Sequence, residues 1–175
     1  MIFDVIIPAS GSSVRFGGNK LMLPFGGVSV LENTVSAFLC RKNIKNIFVA
    51  VKEEDIEEVR KMLPYPQVIV CAGGETRFLS VYAGLNISTA DAVLVHDAAR
   101  PNVSQTLIDA VCSSVANRGS GVPSLPLSDS VRHILKDRII GEDKNREHLV
   151  CVQTPQGYLA GELLDAYEQA FEDNC

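Results

Sequence analysis

Short β-branched runs alternate with longer amphipathic stretches, and this alternation constrains the fold more than any other feature of the sequence. The strand-like runs are Asp4–Ala9, Ile47–Val51, Gln67–Ala72 and Ala92–His96. The stretches with helical spacing are Val28–Lys42, Glu53–Leu63, Thr76–Ile87 and Ser104–Asn117. Strands that alternate with helices form parallel sheets covered on both faces. The sequence therefore predicts an α/β fold, with a Rossmann-like, mostly parallel sheet flanked by helices.

Ligands of such sheets bind beyond the carboxyl ends of the strands, so the loops at that edge are the places to search for a site. The loops that follow the predicted strands are Ser10–Lys20, Lys52–Glu53, Gly73–Arg77 and Asp97–Pro101.

Composition excludes several classes of partner. The 175 residues suit one domain, and a net charge of -5 argues against a nucleic-acid-binding surface. No apolar run approaches the ~18 residues of a membrane span, and no signal or transit peptide is recognisable. The five cysteines are widely spaced without a CxxC pair, which favours buried, reduced thiols. We therefore expect a cytoplasmic protein that binds neither nucleic acid nor membrane.

The loop after the first strand, PASGSSVRFGGNK, combines small residues with two cations and no acid. Small residues let backbone N–H groups approach an anion, while Arg15 offers a planar fork and Lys20 a point charge. The alternative is a surface turn with two solvated cations. Lys20 is followed by Leu21, and Ser13 stands where GxGxxG needs a glycine. Both departures argue against a P-loop NTPase and a dehydrogenase.

The segment AGGETRFLSV has a similar arrangement, in which a predicted strand ends, two glycines follow and a helix begins. The glycines allow close approach of a flat base or sugar, and Arg77 and Ser80 lie about one turn apart on the helix. The alternative is an ordinary strand-to-helix turn with Thr76 as the N-cap.

The segment VLVHDAARP brings His96 and Asp97 to the carboxyl edge of the sheet. A carboxylate that faces a cationic loop suits a magnesium ion shared with phosphate oxygens. Alternatively, Asp97 caps a helix or pairs with Arg100. For His96 we favour a buried, hydrogen-bonded histidine, because no second histidine with metal-ligand spacing is near.

The alternating pattern ends after Val122. Ser130–Leu135 and Arg138–Ile140 are predicted to form a two-stranded ribbon, with His148–Gln153 as a returning strand. Because an isolated hairpin is marginally stable in water, we expect this arm to pack on something, such as a second subunit. An amphipathic helix, Gly161–Phe171, follows.

The segment NREHLVCVQTPQG places Arg146 at the base of the returning strand and Thr154 at its end. The alternative here is turn chemistry around Pro155. The sequence shows neither a Ser-His-Asp signature nor a paired general acid and base, so nucleophilic and glycosidase mechanisms have no support.

Together these segments resemble the 2-C-methyl-D-erythritol 4-phosphate cytidylyltransferase family of nucleotidyltransferases. The residues that carry the resemblance are Ala9-Ser10-Gly11, Arg15, Lys20, Gly74-Glu75-Thr76-Arg77, Ser80-Val81, Val95 to Pro101, Asp129-Ser130, Arg146 and Gln153-Thr154-Pro155-Gln156. Their order and spacing match over the whole chain, and the combination of HDAARP with QTPQ is specific. The related ribitol-5-phosphate cytidylyltransferases share much of this pattern.

The resemblance implies transfer of CMP from CTP to a sugar-alcohol phosphate, with release of pyrophosphate. A phosphate monoester has a second pKa near ~6, so at neutral pH the nucleophile is already largely a dianion. This agrees with the missing general base. The remaining obstacle is charge repulsion and alignment, which cations and Mg²⁺ would overcome.

The resemblance also implies roles for individual residues. Catalytic roles fall on Arg15, Lys20 and Arg146. The residues for which it implies substrate binding are Ala9, Ser10, Gly11, Ser13, Gly74, Arg77, Ser80, Asp97, Ala98, Arg100, Ser130 and Thr154. Within these sets, Arg15 and Lys20 would stabilise the pentacoordinate α-phosphate, and Asp97 would bind Mg²⁺. Cytosine recognition falls on Ala9, Gly74 and Ser80, and acceptor binding on Arg100, Ser130, Arg146 and Thr154.

In the resembled family the arm, about residues 127–150 here, interlocks two subunits of a homodimer. Arg146 and Ser130 would then serve the partner's site. Family members continue through a further segment with an acceptor-binding lysine and threonine. We therefore expect residues 1–175 to form a single nucleotidyltransferase domain that lacks this segment. The alternatives are a ribitol-5-phosphate cytidylyltransferase, a nucleotidyltransferase with another acceptor, and a non-catalytic nucleotide-binding or dimerising module.

Overall fold

The structure is a computed structural model that describes residues 1–11, 20–134, 140–143 and 145–173. Its strands are β1 (Phe3–Pro8), β2 (Pro24–Phe25), β3 (Val28–Ser29), β4 (Ile44–Val51), β5 (Val68–Ala72), β6 (Ala92–Val95), β7 (Ser120–Gly121), β8 (Ser124–Pro126), β9 (Arg132–Ile134), β10 (Ile140–Asp143), β11 (Val150–Val152) and β12 (Gln156–Leu159). Its α-helices are α1 (Val30–Leu39), α2 (Ile56–Met62), α3 (Arg77–Ile87), α4 (Gln105–Arg118) and α5 (Ala160–Glu172).

A six-stranded sheet forms the centre of the fold, in the order β5-β4-β1-β6-β12-β7. β1 pairs in parallel with both β4 and β6, and β4 pairs in parallel with β5. β12 runs antiparallel to β6 and β7. The predicted α/β fold with a mostly parallel sheet is confirmed.

Alternate residues of the strands face opposite sides of the sheet, and each side is covered by helices. Phe3, Val5 and Ile7 pack in one core cluster with residues of α1, α2 and α4. Ile6 and Phe48 pack on the other side with residues of α3 and α5. Because both faces are buried, Val5, Ile6 and Ile7 of β1 are apolar in succession rather than alternating with polar residues.

Local capping fixes where the helices begin and end. Ser29 accepts a hydrogen bond from the Glu32 backbone N–H, and the Glu32 side chain accepts one from the Ser29 N–H, so α1 begins with a capping box. Ser104 caps α4 as predicted, and Thr76 caps α3, which was the alternative interpretation of its segment. α4 ends at Gly119, whose φ of 81° lies in the left-handed region that glycine adopts without strain.

Several predicted boundaries are wrong. Val28 and Ser29 were expected in the first helix, but they pair with Pro24 and Phe25 in a small hairpin. Gln156–Leu159, where the sequence analysis predicts no strand, forms the antiparallel strand β12 inside the main sheet. Only four residues long, β12 gives too short a periodic pattern to be distinguished from a loop in the sequence.

The predicted ribbon exists with shifted bounds. β9 pairs antiparallel with β10 in a separate two-stranded sheet, so the second strand lies at Ile140–Asp143 rather than Arg138–Ile140. The returning strand is β11, and it pairs antiparallel with β8. Residues 135–139 and 144 of the predicted arm lie outside the described residues.

The cysteines are free thiols among the residues described, but they are less buried than the sequence predicts. Cys112 is buried and Cys71 partly so, whereas Cys40 and Cys151 are exposed. Burial raises the pKa of both Cys71 and Cys112. In the part of the chain described, no helix has the length and apolar composition that crossing a membrane requires.

Candidate active site

A cavity of about 650 Å³ opens at the carboxyl edge of the parallel strands, where the fold class predicts a ligand site. This volume lies within the ~300–1,000 Å³ typical of small-molecule sites. We call it the first cavity. Its lining residues are Pro8, Ala9, Ser10, Gly11, Lys20, Leu21, Glu75, Thr76, Arg77, Asp97, Ala98, Ala99 and Arg100.

A cluster of hydroxyl groups joins the loops that follow β1 and β5. The Ser10 hydroxyl donates to the Gly74 carbonyl at 2.8 Å and lies 2.7 Å from the Ser80 hydroxyl. The Gly74 N–H donates to Ser80 at 3.2 Å, and the Ser80 hydroxyl also lies 2.8 Å from the Thr76 carbonyl. Two segments far apart in sequence are thereby held in register on one wall of the first cavity.

Two glycines make this close approach possible. A Cβ atom at Gly73 would lie 3.0 Å from both the Ser10 Cβ and the Ser80 Oγ atoms, and one at Gly74 would lie 2.2 Å from the Leu79 Cβ. The second contact is far inside van der Waals distance and involves a helical residue that cannot move aside. Packing between the loop and α3 therefore favours glycine at position 73 and requires it at position 74.

Asp97 holds the opposite wall through two ion pairs. Its Oδ1 accepts a hydrogen bond from Arg77 Nε at 3.2 Å, and its Oδ2 accepts one from Arg100 Nε at 2.9 Å. The Asp97 side chain keeps 31% of its surface exposed. The lining also contains Lys20 and Glu75. Its cationic side chains therefore outnumber its carboxylates, although the chain as a whole has a net charge of -5. The first cavity is therefore suited to an anionic ligand.

His96 lies beneath this wall and is fully buried. Its Nε2 is 3.0 Å from the Arg100 carbonyl, across the turn that contains Asp97, and its ring contacts Phe38 edge-on. Burial lowers its pKa, so the ring is neutral near pH 7. Nε2–H then donates to the carbonyl. The preferred interpretation of His96, a buried hydrogen-bonded residue, is confirmed, although β6 ends one residue earlier at Val95.

The segment before β12 supports Asp97 and Arg100 from outside the first cavity. Thr154 Oγ1 accepts a hydrogen bond from the Asp97 N–H at 3.3 Å, and Gln153 Oε1 accepts one from Arg100 Nη1 at 2.7 Å. His96, Arg100, Gln153 and Thr154 also line an adjacent cavity of about 470 Å³. Arg100 therefore forms the partition between two neighbouring spaces.

The structure brings together most of the residues that the sequence analysis assigns to the site. Those that line the first cavity are Ala9, Ser10, Gly11, Lys20, Arg77, Asp97, Ala98 and Arg100. Gly74 and Ser80 do not line it and instead support Ser10, while Thr154 lines the adjacent cavity. Ser13 and Arg15 lie outside the described residues.

Arg146 and Ser130 are not among the residues that line either cavity. Both are exposed, and Arg146 Nη1 donates to the Ser128 carbonyl at 3.1 Å. Within one chain these two side chains therefore belong to the ribbon region rather than to the cavity wall.

Sequence reasoning did not assign site roles to Glu75, Ala99 or Gln153, nor to Thr34. Thr34 Oγ1 donates to the Ala98 carbonyl at 2.8 Å from within α1, which fixes the loop after β6. For Gln153 the QTPQ motif is a usable signal. For Thr34 there is none, since it lies in the middle of a helix 64 residues from its partner.

The family model described as IspD: 2-C-methyl-D-erythritol 4-phosphate cytidylyltransferase matches residues 3–175. A 2-C-methyl-D-erythritol 4-phosphate cytidylyltransferase of Bacillus pumilus is 33% identical, over 97% of this chain and 77% of the relative. The enzyme of the same name from Rhodococcus jostii is 37% identical, over 94% of this chain and 74% of the relative.

Solved structures agree with these relatives. The crystal structure of 2-C-methyl-D-erythritol 4-phosphate cytidylyltransferase from Francisella tularensis matches with a TM-score of 0.84 and 30% identity, over 99% of this chain and 80% of that one. The 4-diphosphocytidyl-2C-methyl-D-erythritol synthase of Anaerococcus prevotii matches with a TM-score of 0.85 and 26% identity, over 98% and 77%. The chain belongs to the 2-C-methyl-D-erythritol 4-phosphate cytidylyltransferase family, whose members are nucleotidyltransferases.

Proposed function

We propose that this protein transfers CMP from CTP to 2-C-methyl-D-erythritol 4-phosphate and releases pyrophosphate, a step of isoprenoid precursor synthesis by the non-mevalonate pathway. The observation that carries the proposal is the cationic first cavity at the carboxyl edge of the sheet, in a chain of this family. The relatives described above carry the methylerythritol phosphate name, which favours this acceptor over ribitol phosphate.

The reaction needs alignment and charge neutralisation rather than a general base. A phosphate oxygen of the acceptor forms a bond to the α-phosphorus of CTP, and the bond from that phosphorus to the β-phosphate oxygen breaks. The electron pair leaves with pyrophosphate. Since the acceptor's phosphate is largely a dianion at neutral pH, no side chain has to remove a proton before attack.

We assign Lys20 and Arg15 to the α-phosphate. Lys20 lies at the edge of the first cavity and is exposed, so its ammonium group is free to meet an incoming triphosphate. Positive charge placed where negative charge develops is commonly the largest single contribution to such a reaction. For Arg15 the support is its position in the motif of the family.

Mg²⁺ fits Asp97. The described residues contain no group of three or more His, Cys, Asp or Glu side chains that could hold a metal ion alone. Mg²⁺, however, is commonly held by one or two carboxylates together with substrate phosphates, and the Asp97 carboxylate lines the first cavity. When bound, the ion supplies neutralising charge to the phosphate oxygens. Arg77 and Arg100 orient the carboxylate, with one arginine on each oxygen.

We propose further that the protein acts as a homodimer joined through the arm, in the cytoplasm. The two-stranded sheet of β8 and β11, the strands that flank the arm in the sequence, presents apolar side chains to solvent. Leu125 and Val150 are each 56% exposed, and Val152 is 49% exposed. Burying such side chains against a second subunit would remove apolar area from water. In that arrangement Arg146 and Ser130 would contribute to the partner's acceptor site.

Pyrophosphate release tests the proposed function. Purified protein is incubated with CTP, Mg²⁺ and either methylerythritol phosphate or ribitol phosphate, and we expect release with the first acceptor. Lys20→Ala should lower kcat by ~10²-fold or more, as for loss of one preorganised charge-stabilising group. Lys45→Ala is the matched control, because Lys45 bonds to Thr89 rather than lining the cavity. Bound CTP without release by the wild type would contradict the enzymatic function.

A further inference from the structure

Thr34 is a buried polar residue in the middle of α1, and the proposed reaction gives it no role. Its Oγ1 lies 2.8 Å from the Ala98 carbonyl oxygen, although the two residues are 64 positions apart in sequence. The same atom lies 2.9 Å from the Val30 carbonyl oxygen, one helical turn earlier. Thr34 is fully buried and Ala98 nearly so. The contact therefore joins α1 to the loop after β6 at a point that water does not reach.

The Ala98 carbonyl depends on this hydroxyl more than the Val30 carbonyl does. A threonine hydroxyl has one proton to donate. The Val30 carbonyl also has its regular helical partner, the backbone N–H four residues later. For the Ala98 carbonyl, the described part of the chain offers no second donor. Without the Thr34 hydroxyl, this buried carbonyl would lose its hydrogen bond, which is unfavourable.

Ala98 and Ala99 are the two central residues of a turn. The Arg100 N–H donates to the Asp97 carbonyl at 3.1 Å, which closes the turn around them. The peptide group between the two alanines takes no part in that hydrogen bond, and turn types I and II differ in the side to which this peptide faces. The contact with Thr34 therefore selects one orientation, in which the Ala98 carbonyl faces α1.

The same contact determines where the N–H group of this peptide points. The carbonyl and the N–H of a trans peptide point in opposite directions, so the Ala99 N–H faces away from α1. Ala99 lines the first cavity. Within the described ranges, no group accepts a hydrogen bond from the Ala99 N–H. The wall therefore has a backbone donor that is left for a ligand.

We propose that Thr34 is a positioning residue for the reaction. Its hydroxyl holds the Ala98 carbonyl toward α1 and so presents the Ala99 N–H to an anionic group of a substrate in the first cavity. It also keeps the carbonyl oxygen, which would repel such a group, turned away from the substrate. A preorganised donor of this kind needs no reorganisation when charge arrives. This inference rests on the proposed function, which supplies the anionic substrates.

Thr34→Val tests the inference, because it replaces the hydroxyl by a methyl group of similar size. The Ala99 amide resonance is followed by NMR while CTP with Mg²⁺, or methylerythritol phosphate, is added. We expect at least one substrate to shift this resonance in the wild type, and the shift to be lost in Thr34→Val. The kcat/KM for that substrate should fall at least about tenfold, on the scale of one hydrogen bond to a charged group. Thr34→Ser keeps a hydroxyl and should restore most of both.

Two variants in the same helix are the matched controls. Ser36→Ala removes a hydroxyl that donates only to the Glu32 carbonyl, so the kcat/KM and the Ala99 shift should stay at the wild-type values. Val35→Ala shortens a fully buried side chain next to Thr34, so it should lower the melting temperature and leave the Ala99 shift unchanged.

The outcomes separate this inference from the proposed function. An active wild type whose Ala99 resonance responds to neither substrate overturns the role of Thr34 alone. So does a Thr34→Val variant that keeps both the shift and the kcat/KM, or an equal loss of kcat/KM in Val35→Ala, which would make instability the cause. A wild type that binds CTP without releasing pyrophosphate contradicts the proposed function, and with it this inference.

Discussion

At the scale of single residues, the geometry of the site depends on hydrogen bonds and ion pairs that restrain its charged side chains. Asp97 is fixed by two arginines, Arg100 is fixed in turn by Gln153, and the turn between them closes on His96. A charged side chain that faces an open cavity keeps its rotamer only if such contacts restrain it. The groups behind the wall are therefore as important to the geometry as those that line it.

His96 gives a pH-dependent prediction. Its pKa is lowered mainly by burial, so between the folded-state value and about pH 6.5 the unfolded chain binds more protons. The free energy of unfolding therefore decreases as the pH falls through that range. His96→Gln keeps an N–H for the Arg100 carbonyl but cannot titrate. Urea denaturation from about pH 7.5 to about pH 5 should show the wild type losing stability relative to the variant, and a constant difference would contradict this.

Asp4 gives a prediction at the opposite end of the sheet. Its fully buried carboxylate accepts hydrogen bonds from the Asn46 backbone at 2.9 Å, the Ser88 hydroxyl at 2.7 Å and the Thr89 backbone at 3.3 Å. Asp4→Ala leaves these donors without an acceptor, which should lower the free energy of unfolding by roughly 3 kcal/mol. Asp4→Asn should lose less, because one oxygen remains. Guanidinium denaturation measures both, and a loss below about 1 kcal/mol for Asp4→Ala would refute the prediction.

At the scale of elements, the sequence predicts long periodic segments well and short ones poorly. β1 and the helices α1 to α4 follow from apolar spacing and from caps such as Ser104. Val28 and Ser29 are predicted as helix because the apolar spacing continues through them, yet Ser29 is the N-cap, so α1 begins at Val30, two residues after the predicted start. Contacts such as that between Ser10 and Ser80 depend on tertiary packing, so no local sequence pattern predicts them.

Two glycines in neighbouring elements should respond oppositely to alanine. A Cβ at Gly157 in β12 would lie 2.6 Å from Val115 and 2.8 Å from Val111, whereas one at Gly161 in α5 meets nothing within 4 Å. Gly157→Ala should cost about 1–3 kcal/mol through overpacking. Gly161→Ala should be neutral or stabilising by up to about 1 kcal/mol, since alanine favours helix. Thermal denaturation distinguishes them, and equal melting temperatures would show that α4 can move away from β12.

At the scale of the whole molecule, charge and apolar surface are divided between separate regions. The cationic lining of the first cavity is assembled from three loops of an acidic chain, which concentrates attraction for anions at one place. The exposed apolar side chains of β8 and β11 lie in a small sheet of their own. Composition averages over both regions, so it gives the net charge of -5 without revealing either one.

The proposed dimer gives a prediction at this scale. Val150→Asp introduces a charge into the exposed apolar face of β11, so it should shift the protein from dimer to monomer with little change in the fold of each subunit. Light scattering after gel filtration measures the mass. Ile87→Asp is the matched control, because Ile87 is 45% exposed at the end of α3. A monomeric wild type, or an equal effect of the two variants, would contradict the proposal.

The position of β1 has a consequence for how the protein is made. β1 precedes both of its neighbours in the chain but lies between β4 and β6 in the sheet, so both neighbours emerge from the ribosome after it. One side of β1 can pair once β4 has been translated, but the other side stays without a strand partner until Val95 has been translated. During that interval an unpaired apolar segment is open to chaperones and to aggregation. Slowing translation before β6 should therefore lower the soluble yield more than slowing it afterwards.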